Sequence, residues 1–108
     1  MGWNIEYYND KVFNKIFSYS DTMIARYYKY AELMEQHGPN LGMPHSKAMG
    51  KSLYELRVSG GDGKSRIFYC VLKEKKITIL HSFIKKTQKT PKKELNIARK
   101  RQKEVENV

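Results

Sequence analysis

The chain has 108 residues, 40% of them hydrophobic and 30% charged, with a single cysteine and a net charge of +10. That composition is too apolar for a disordered chain. It also holds no uncharged apolar run near the ~18 residues of a membrane span. One cysteine excludes an internal disulfide framework, and the opening MGWNIEYYND has acids where a secretory leader has basic and apolar residues, so the cytoplasm is the expected compartment.

The charge is segregated along the chain. Residues 1–44 carry four basic and five acidic side chains, whereas residues 45–108 carry seventeen basic and six acidic ones. Such asymmetry within one small domain points to a polyanionic partner, with nucleic acid ahead of a membrane surface.

Trp3, Ile5 and Tyr7 alternate with polar neighbours and predict a short first strand. Val12, Phe13, Ile16 and Phe17 have helical spacing and predict a short helix ending near Tyr19. A second helix is expected after Ser20 or Asp21, both good N-caps. Its apolar stripe runs Met23, Ile24, Tyr27, Ala31, Met34, and Gly38-Pro39 stops it. The segment 39–52, PNLGMPHSKAMGKS, has two prolines, two glycines and no periodicity, and reads as a loop. Three strand-like runs follow: 52–59, 65–73 and 77–85, joined by Gly60-Gly61-Asp62-Gly63 and by Glu74-Lys75-Lys76. Two short connections between consecutive strands predict an antiparallel meander. Thr90-Pro91 reads as an N-cap and first turn of a last helix. Its apolar stripe, Leu95, Ala98 and Val105, is thin and predicts light docking. The order β-α-α-β-β-β-α makes an α+β fold: an antiparallel sheet layered with helices, closed by a C-terminal helix, in one domain over residues 1–108.

Metal and thiol chemistry find little support. The three histidines and Cys70 are scattered, with no CxxC or HxxxH spacing, and Cys70 sits mid-strand where an inert buried thiol is usual. The chain also lacks a phosphate-cradling glycine motif opening a helix. What remains is cationic. Alternation places Leu53, Glu55 and Arg57 on one face of their strand, and Arg66, Phe68 and Cys70 on one face of the next. Arg57 and Arg66 therefore lie in neighbouring strands across a short hairpin and are expected to converge on one patch. The last strand runs into Phe83, then Lys85-Lys86-Thr87-Gln88-Lys89, with Lys92 and Lys93 opening the helix; these groups suit phosphates. Phe83 suits either a base stack or a core position at a strand end. His45, Lys47 and Lys51 form a basic loop. By alternation His81 shares a face with Ile79 and Phe83, which favours a structural histidine.

This set suits metal-free RNA cleavage. A ribose 2′-hydroxyl attacks the adjacent phosphorus, and fixed cations neutralise the charge that develops. A lysine crowded by other cations has a lowered pKa and can transfer protons.

The segments LYELRV, RIFYCV and ILHSFIKKTQKTPKKELNIARKR closely resemble the HigB-like branch of the RelE/ParE toxin superfamily, which includes phage-derived members, over about residues 38–103. The phrase HSFIKKTQKTP is the most specific part, and the N-terminal third agrees only in general layout. The resemblance implies a RelE-like fold and the toxin of a type II toxin–antitoxin pair. It further implies an endoribonuclease that cleaves mRNA on the ribosome without a cofactor, masked by a helix-turn-helix antitoxin. By position it gives Arg57 contact with the scissile phosphate, Arg66 a supporting place, and Lys85 and Lys86 the cation after the last strand. Lys47 and Lys51 fall in the loop whose lysines touch RNA in relatives. The chain departs from some relatives in having no aromatic residue after Phe83, which leaves the general acid and base open. Two other readings stand beside this one: a ParE-like gyrase inhibitor, and a non-catalytic nucleic-acid-binding module.

Overall fold

A computed structural model describes residues 2–107. The elements run β1 (Asn4–Tyr7), α1 (Asp10–Ile16), α2 (Asp21–His37), β2 (Ser46–Gly50), β3 (Leu53–Gly60), β4 (Gly63–Leu72), β5 (Lys76–Lys85) and α3 (Lys92–Glu106). One five-stranded sheet has the order β1-β5-β4-β3-β2. The meander β3-β4-β5 is antiparallel, β2 adds to it antiparallel, and β1 lies parallel to β5 with Ile5 opposite Ile77.

The two helical layers follow from the strand alternation. Leu56, Val58, Ile67 and Tyr69 face α1 and α2 and pack with Val12, Ile16, Met23, Tyr27 and Met34. Leu53, Phe68, Cys70, Leu80 and Phe83 face the other way and pack with Ala98 of α3. The expected N-cap of α2 holds: the Ser20 hydroxyl accepts the Met23 amide at 3.3 Å, and Gly38 ends the helix at φ 100°. At the tip of the β3–β4 hairpin the backbone nearly touches α2. A Cβ on Gly60 would lie 2.8 Å from the Met23 amide nitrogen, and both Asp62 carboxylate oxygens accept the Ser20 amide at 3.0 Å.

Three expectations are corrected. The segment read as a loop contains β2, whose side chains are mostly exposed. Only Ser46 is buried there, so no alternation announces a strand, and pairing to β3 supplies the order. A bulge in β5 pairs Phe68 with His81 but Tyr69 with Ile79, leaving Leu80 as the extra residue. Ile79 therefore packs in the core shared with α1 and α2 while Phe83 packs under α3, and the two do not share a face. Finally, α3 is firmly held. Arg99 donates to the Met49 and Gly50 carbonyls at 2.8 and 3.1 Å, Arg101 to Leu80 at 2.8 Å, and Gln102 to Lys51 at 2.7 Å. The Arg101 guanidinium also covers the Tyr8 ring, 4.8 Å from its centroid. Polar side chains dock this helix where its apolar stripe is thin.

Candidate functional site

Residues directly opposite in an antiparallel ladder present their side chains on the same face. On the α3 face the register builds three rungs. The first runs Lys47, Glu55, Phe68, His81; the second Arg57, Arg66, Phe83; the third Ser59, Lys64, Lys85. The apolar members of these rungs lie beneath α3, and the cations emerge beyond it. Two adjoining grooves share Lys64 and Arg66. One, of 370 Å³, is completed by Arg57, Ser59, Pro44, His45 and, from α2, Arg26 and Tyr30. The other, of 460 Å³, is completed by Lys85, Lys86, Thr87 and Gln88.

Like charges directly opposite each other destabilise a sheet, so the Arg57–Arg66 pair needs a counter-charge. Glu55 supplies it. This carboxylate is only 3% exposed, and its Oε1 lies 3.6 Å from Arg57 Nε and 3.8 Å from Arg66 Nε. Neither Nε has a hydrogen-bond partner, so the attraction is through space; of the two heads, Arg66 also donates from Nη1 to the Ser65 carbonyl at 3.1 Å. The other oxygen, Oε2, accepts the Thr90 hydroxyl at 2.8 Å. That bond replaces the expected cap at the start of α3, where Pro91 stands as N-cap without a side-chain bond.

The cations act on one another. Burial holds the Arg66 guanidinium below its ordinary pKa, with Glu55 opposing and Arg57 adding to the shift. Lys85 is also held low. Loss of solvent is the largest cause, followed by Arg66, with Arg57 and Lys64 adding to it and Glu55 opposing. Its ammonium donates to the Gln88 carbonyl, which folds the segment after β5 back toward the arginines.

The structure thus brings together Arg57, Arg66, Lys85, Lys86, Gln88 and His45, whose ring lies 5.1 Å from that of Tyr30. Lys47 joins the same face opposite Glu55. Lys89, Lys92 and Lys93 are exposed along the following segment and the first turn of α3. Lys51 does not join them. It turns away at φ 54° and lines a separate groove with Arg99 and Gln102. Phe83 is 5% exposed and packed against Phe68 and His81, so α3 covers the ring and no base can stack on it. His81 is structural, its Nε2 bonded to Glu94 Oε1 at 2.7 Å, and burial lowers its pKa against the pull of that carboxylate. Cys70 is fully buried, which pushes its thiol up to about 12 and leaves it unreactive.

Reading the sequence alone misses Lys64, Arg26, Tyr30 and the counter-charge role of Glu55. Lys64 was within reach, because the hairpin register places it between Ser59 and Lys85.

The family described as Phage derived protein Gp49-like (DUF891) matches residues 14–103, from α1 through most of α3. The chain belongs to the Gp49-like family. The match extends well upstream of the motifs around Arg57, taking in the end of α1 and all of α2. Among solved structures, an arginine-to-alanine double mutant of E. coli toxin RelE in the free state superposes on this Gp49-like chain with a TM-score of 0.68. It is 12% identical, and the alignment covers 94% of this chain and 98% of that one. RelE of the archaeal RelE-RelB complex from Pyrococcus horikoshii OT3 superposes with a TM-score of 0.52 at 20% identity, covering 76% of this chain and 93% of that one. The Gp49-like chain therefore has the RelE-like α+β fold. A search of curated protein sequences gives no significant match.

Proposed function

We propose that this chain is the toxin of a type II toxin–antitoxin pair, of the HigB-like branch, and that it cleaves mRNA on the ribosome without a metal. The observation that carries the reading is the pair of adjacent cationic rungs, Arg57–Arg66 and Lys64–Lys85, open on one face of the sheet. In such a reaction the ribose 2′-oxygen attacks phosphorus in line and the 5′-oxygen leaves, giving a 2′,3′-cyclic phosphate and a 5′-hydroxyl. Two negative charges gather on the phosphorane, where Arg57 and Arg66 are already fixed and need no reorganisation. Lys85, its proton loosened by loss of solvent and by neighbouring cations, is the group best placed to give a proton to the leaving oxygen. Lys86, Gln88, Lys89, His45 and Lys47 hold flanking phosphates. Lys92 and Lys93 extend that track at the start of α3.

Among the described residues no three His, Cys, Asp or Glu side chains converge as a metal site would need. A protein antitoxin is the expected partner, of the helix-turn-helix kind in the HigB-like branch. The archaeal RelE with the same fold is in complex with RelB, which supports a masked toxin. The whole chain acts as one domain, in the cytoplasm where ribosomes are.

The test is to incubate the protein with mRNA and ribosomes in excess EDTA. Persistent cleavage with 2′,3′-cyclic phosphate ends is expected; metal-dependent cleavage leaving 3′-hydroxyl ends overturns the mechanism. Pulse labelling after expression separates the readings at the cellular level. Translation should stop first, and DNA synthesis failing first favours a gyrase inhibitor.

A further inference from the structure

The most unusual group in the site is its acid. A buried carboxylate within a cationic phosphate-binding face opposes binding of the very ligand the face attracts, so its presence requires a reason. The geometry supplies two. Oε1 is nearly equidistant from Arg57 Nε and Arg66 Nε, at 3.6 and 3.8 Å, and lies on the inner side of both guanidinium groups. Oε2 receives the Thr90 hydroxyl at 2.8 Å. Thr90 closes the segment that begins at Lys85, so one side chain touches both halves of the cation cluster.

We propose that Glu55 is a positioning residue for the proposed cleavage, pairing Arg57 with Arg66 through one oxygen and tying the Lys85–Thr90 segment to them through the other. This inference rests on reading the site as one that cleaves a phosphodiester. The carboxylate binds no substrate, because it is 3% exposed beneath the arginines. It allows two like charges to stand opposite each other, 3.6–3.8 Å from a shared anion, with Arg57 partly exposed at the groove and Arg66 buried beside it. Through Thr90 it also fixes how far Lys85 lies from them. Removing its charge leaves a more positive face that holds RNA at least as tightly, but with the cations no longer held in the geometry of the phosphorane. Binding and cleavage should therefore part company.

The experiment uses the full chain with Glu55→Gln, which keeps an acceptor for Thr90 and removes the charge, and Thr90→Val, with Thr90→Ser as its conservative rescue. Three quantities are read in each: binding of a non-cleavable 2′-O-methyl RNA oligomer, single-turnover cleavage of the matching RNA, and the arginine Nε–H resonances. Glu55→Gln should bind the oligomer as tightly as the wild type or more so, and lose cleavage on the order of a hundredfold, as misplacement of about 1 Å does. The Arg57 and Arg66 Nε–H signals should broaden together. Thr90→Val should lose cleavage by a smaller factor with the arginine signals kept, and Thr90→Ser should restore it. Unchanged cleavage and unchanged Nε–H signals in Glu55→Gln overturn the proposal. Equal loss of binding and cleavage in Thr90→Val, unrescued by serine, also overturns it by reducing the contact to a structural one. If the wild type binds the oligomer but cleaves no RNA, the proposed function fails. The Nε–H signals still decide whether Glu55 holds the arginines.

Discussion

Arg57 and Leu56 are neighbours in sequence and opposites in role, because a strand turns successive side chains to opposite faces. Leu56 is fully buried against α2, and Leu56→Ala should cost about 2–5 kcal/mol of stability. Arg57 is half-buried at the rim of a groove and contributes little to packing. Arg57→Ala should leave the melting temperature near that of the wild type and lower cleavage about a hundred- to a thousandfold. Melting curves and single-turnover rates for the two variants check both statements. Lys85 gives a second prediction. In the proposed cleavage its ammonium form is the acid, and loss of solvent together with the surrounding cations holds its pKa low, so cleavage should fall on the alkaline side at a pH below the ordinary lysine range. Lys64→Ala should move that limb to higher pH by removing one of those cations, as a pH–rate profile would read. At this scale Arg57 and Arg66 were legible from alternation across a short hairpin. Phe83 was not, because alternation tells which face a side chain takes and not which part of that face a distant helix covers.

Among the elements, α3 shows why apolar content alone is a poor guide to docking. Its stripe is thin, yet Arg99 and Arg101 donate to strand carbonyls, Gln102 donates to the carbonyl of Lys51 in the β2–β3 turn, and Glu94 meets His81. Gln102 is 4% exposed, and Gln102→Ala should destabilise the fold by about 1–3 kcal/mol by leaving the Lys51 carbonyl unpaired, measured by denaturant unfolding. The burial of His81, only partly offset by Glu94, makes stability depend on pH. Burial keeps His81 neutral in the folded state below its ordinary pKa, whereas an unfolded chain takes up the proton near pH ~6.5. Stability should therefore be full above that pH and decline as pH falls through it. His81→Gln should flatten the curve, and thermal melts from neutral to mildly acidic pH test it. The helices, the meander and the Ser20 and Gly38 caps were all legible, because each has a local signal in apolar spacing or turn chemistry. The strand β2 and the bulge at Leu80 have none, since both are set by pairing partners far along the chain.

Over the whole molecule, the charge asymmetry of the sequence becomes a surface. Cations of β2, β3, β4 and β5 and the segment after it are collected on one side of the sheet by the register. RNA affinity should fall linearly with salt on logarithmic axes, with a slope of roughly −0.7 for each phosphate neutralised on a single strand. Lys47→Ala, on that surface, should make the slope shallower by about one contact. Lys51→Ala should leave it unchanged, because Lys51 lines a different groove. Equilibrium binding of a non-cleavable RNA at several salt concentrations distinguishes the two lysines, which sequence position alone places together.

The pairing of β1 with β5 bears on how the molecule comes into being. Chains emerge N-terminus first, yet Ile5 must wait for Ile77 and Tyr7 for Ile79 before the first strand has a neighbour. Until then α1 and α2 have only part of the surface they cover, since Ile77 and Ile79 belong to that same core. The third cationic rung is likewise incomplete until Lys85 has been added to the chain. Such long-range closure folds slowly compared with local helix formation. A nascent chain therefore holds its cationic face unassembled through most of its own synthesis. Under the proposed function, the ribosome that makes the chain would be spared cleavage until β5 has been made and has paired.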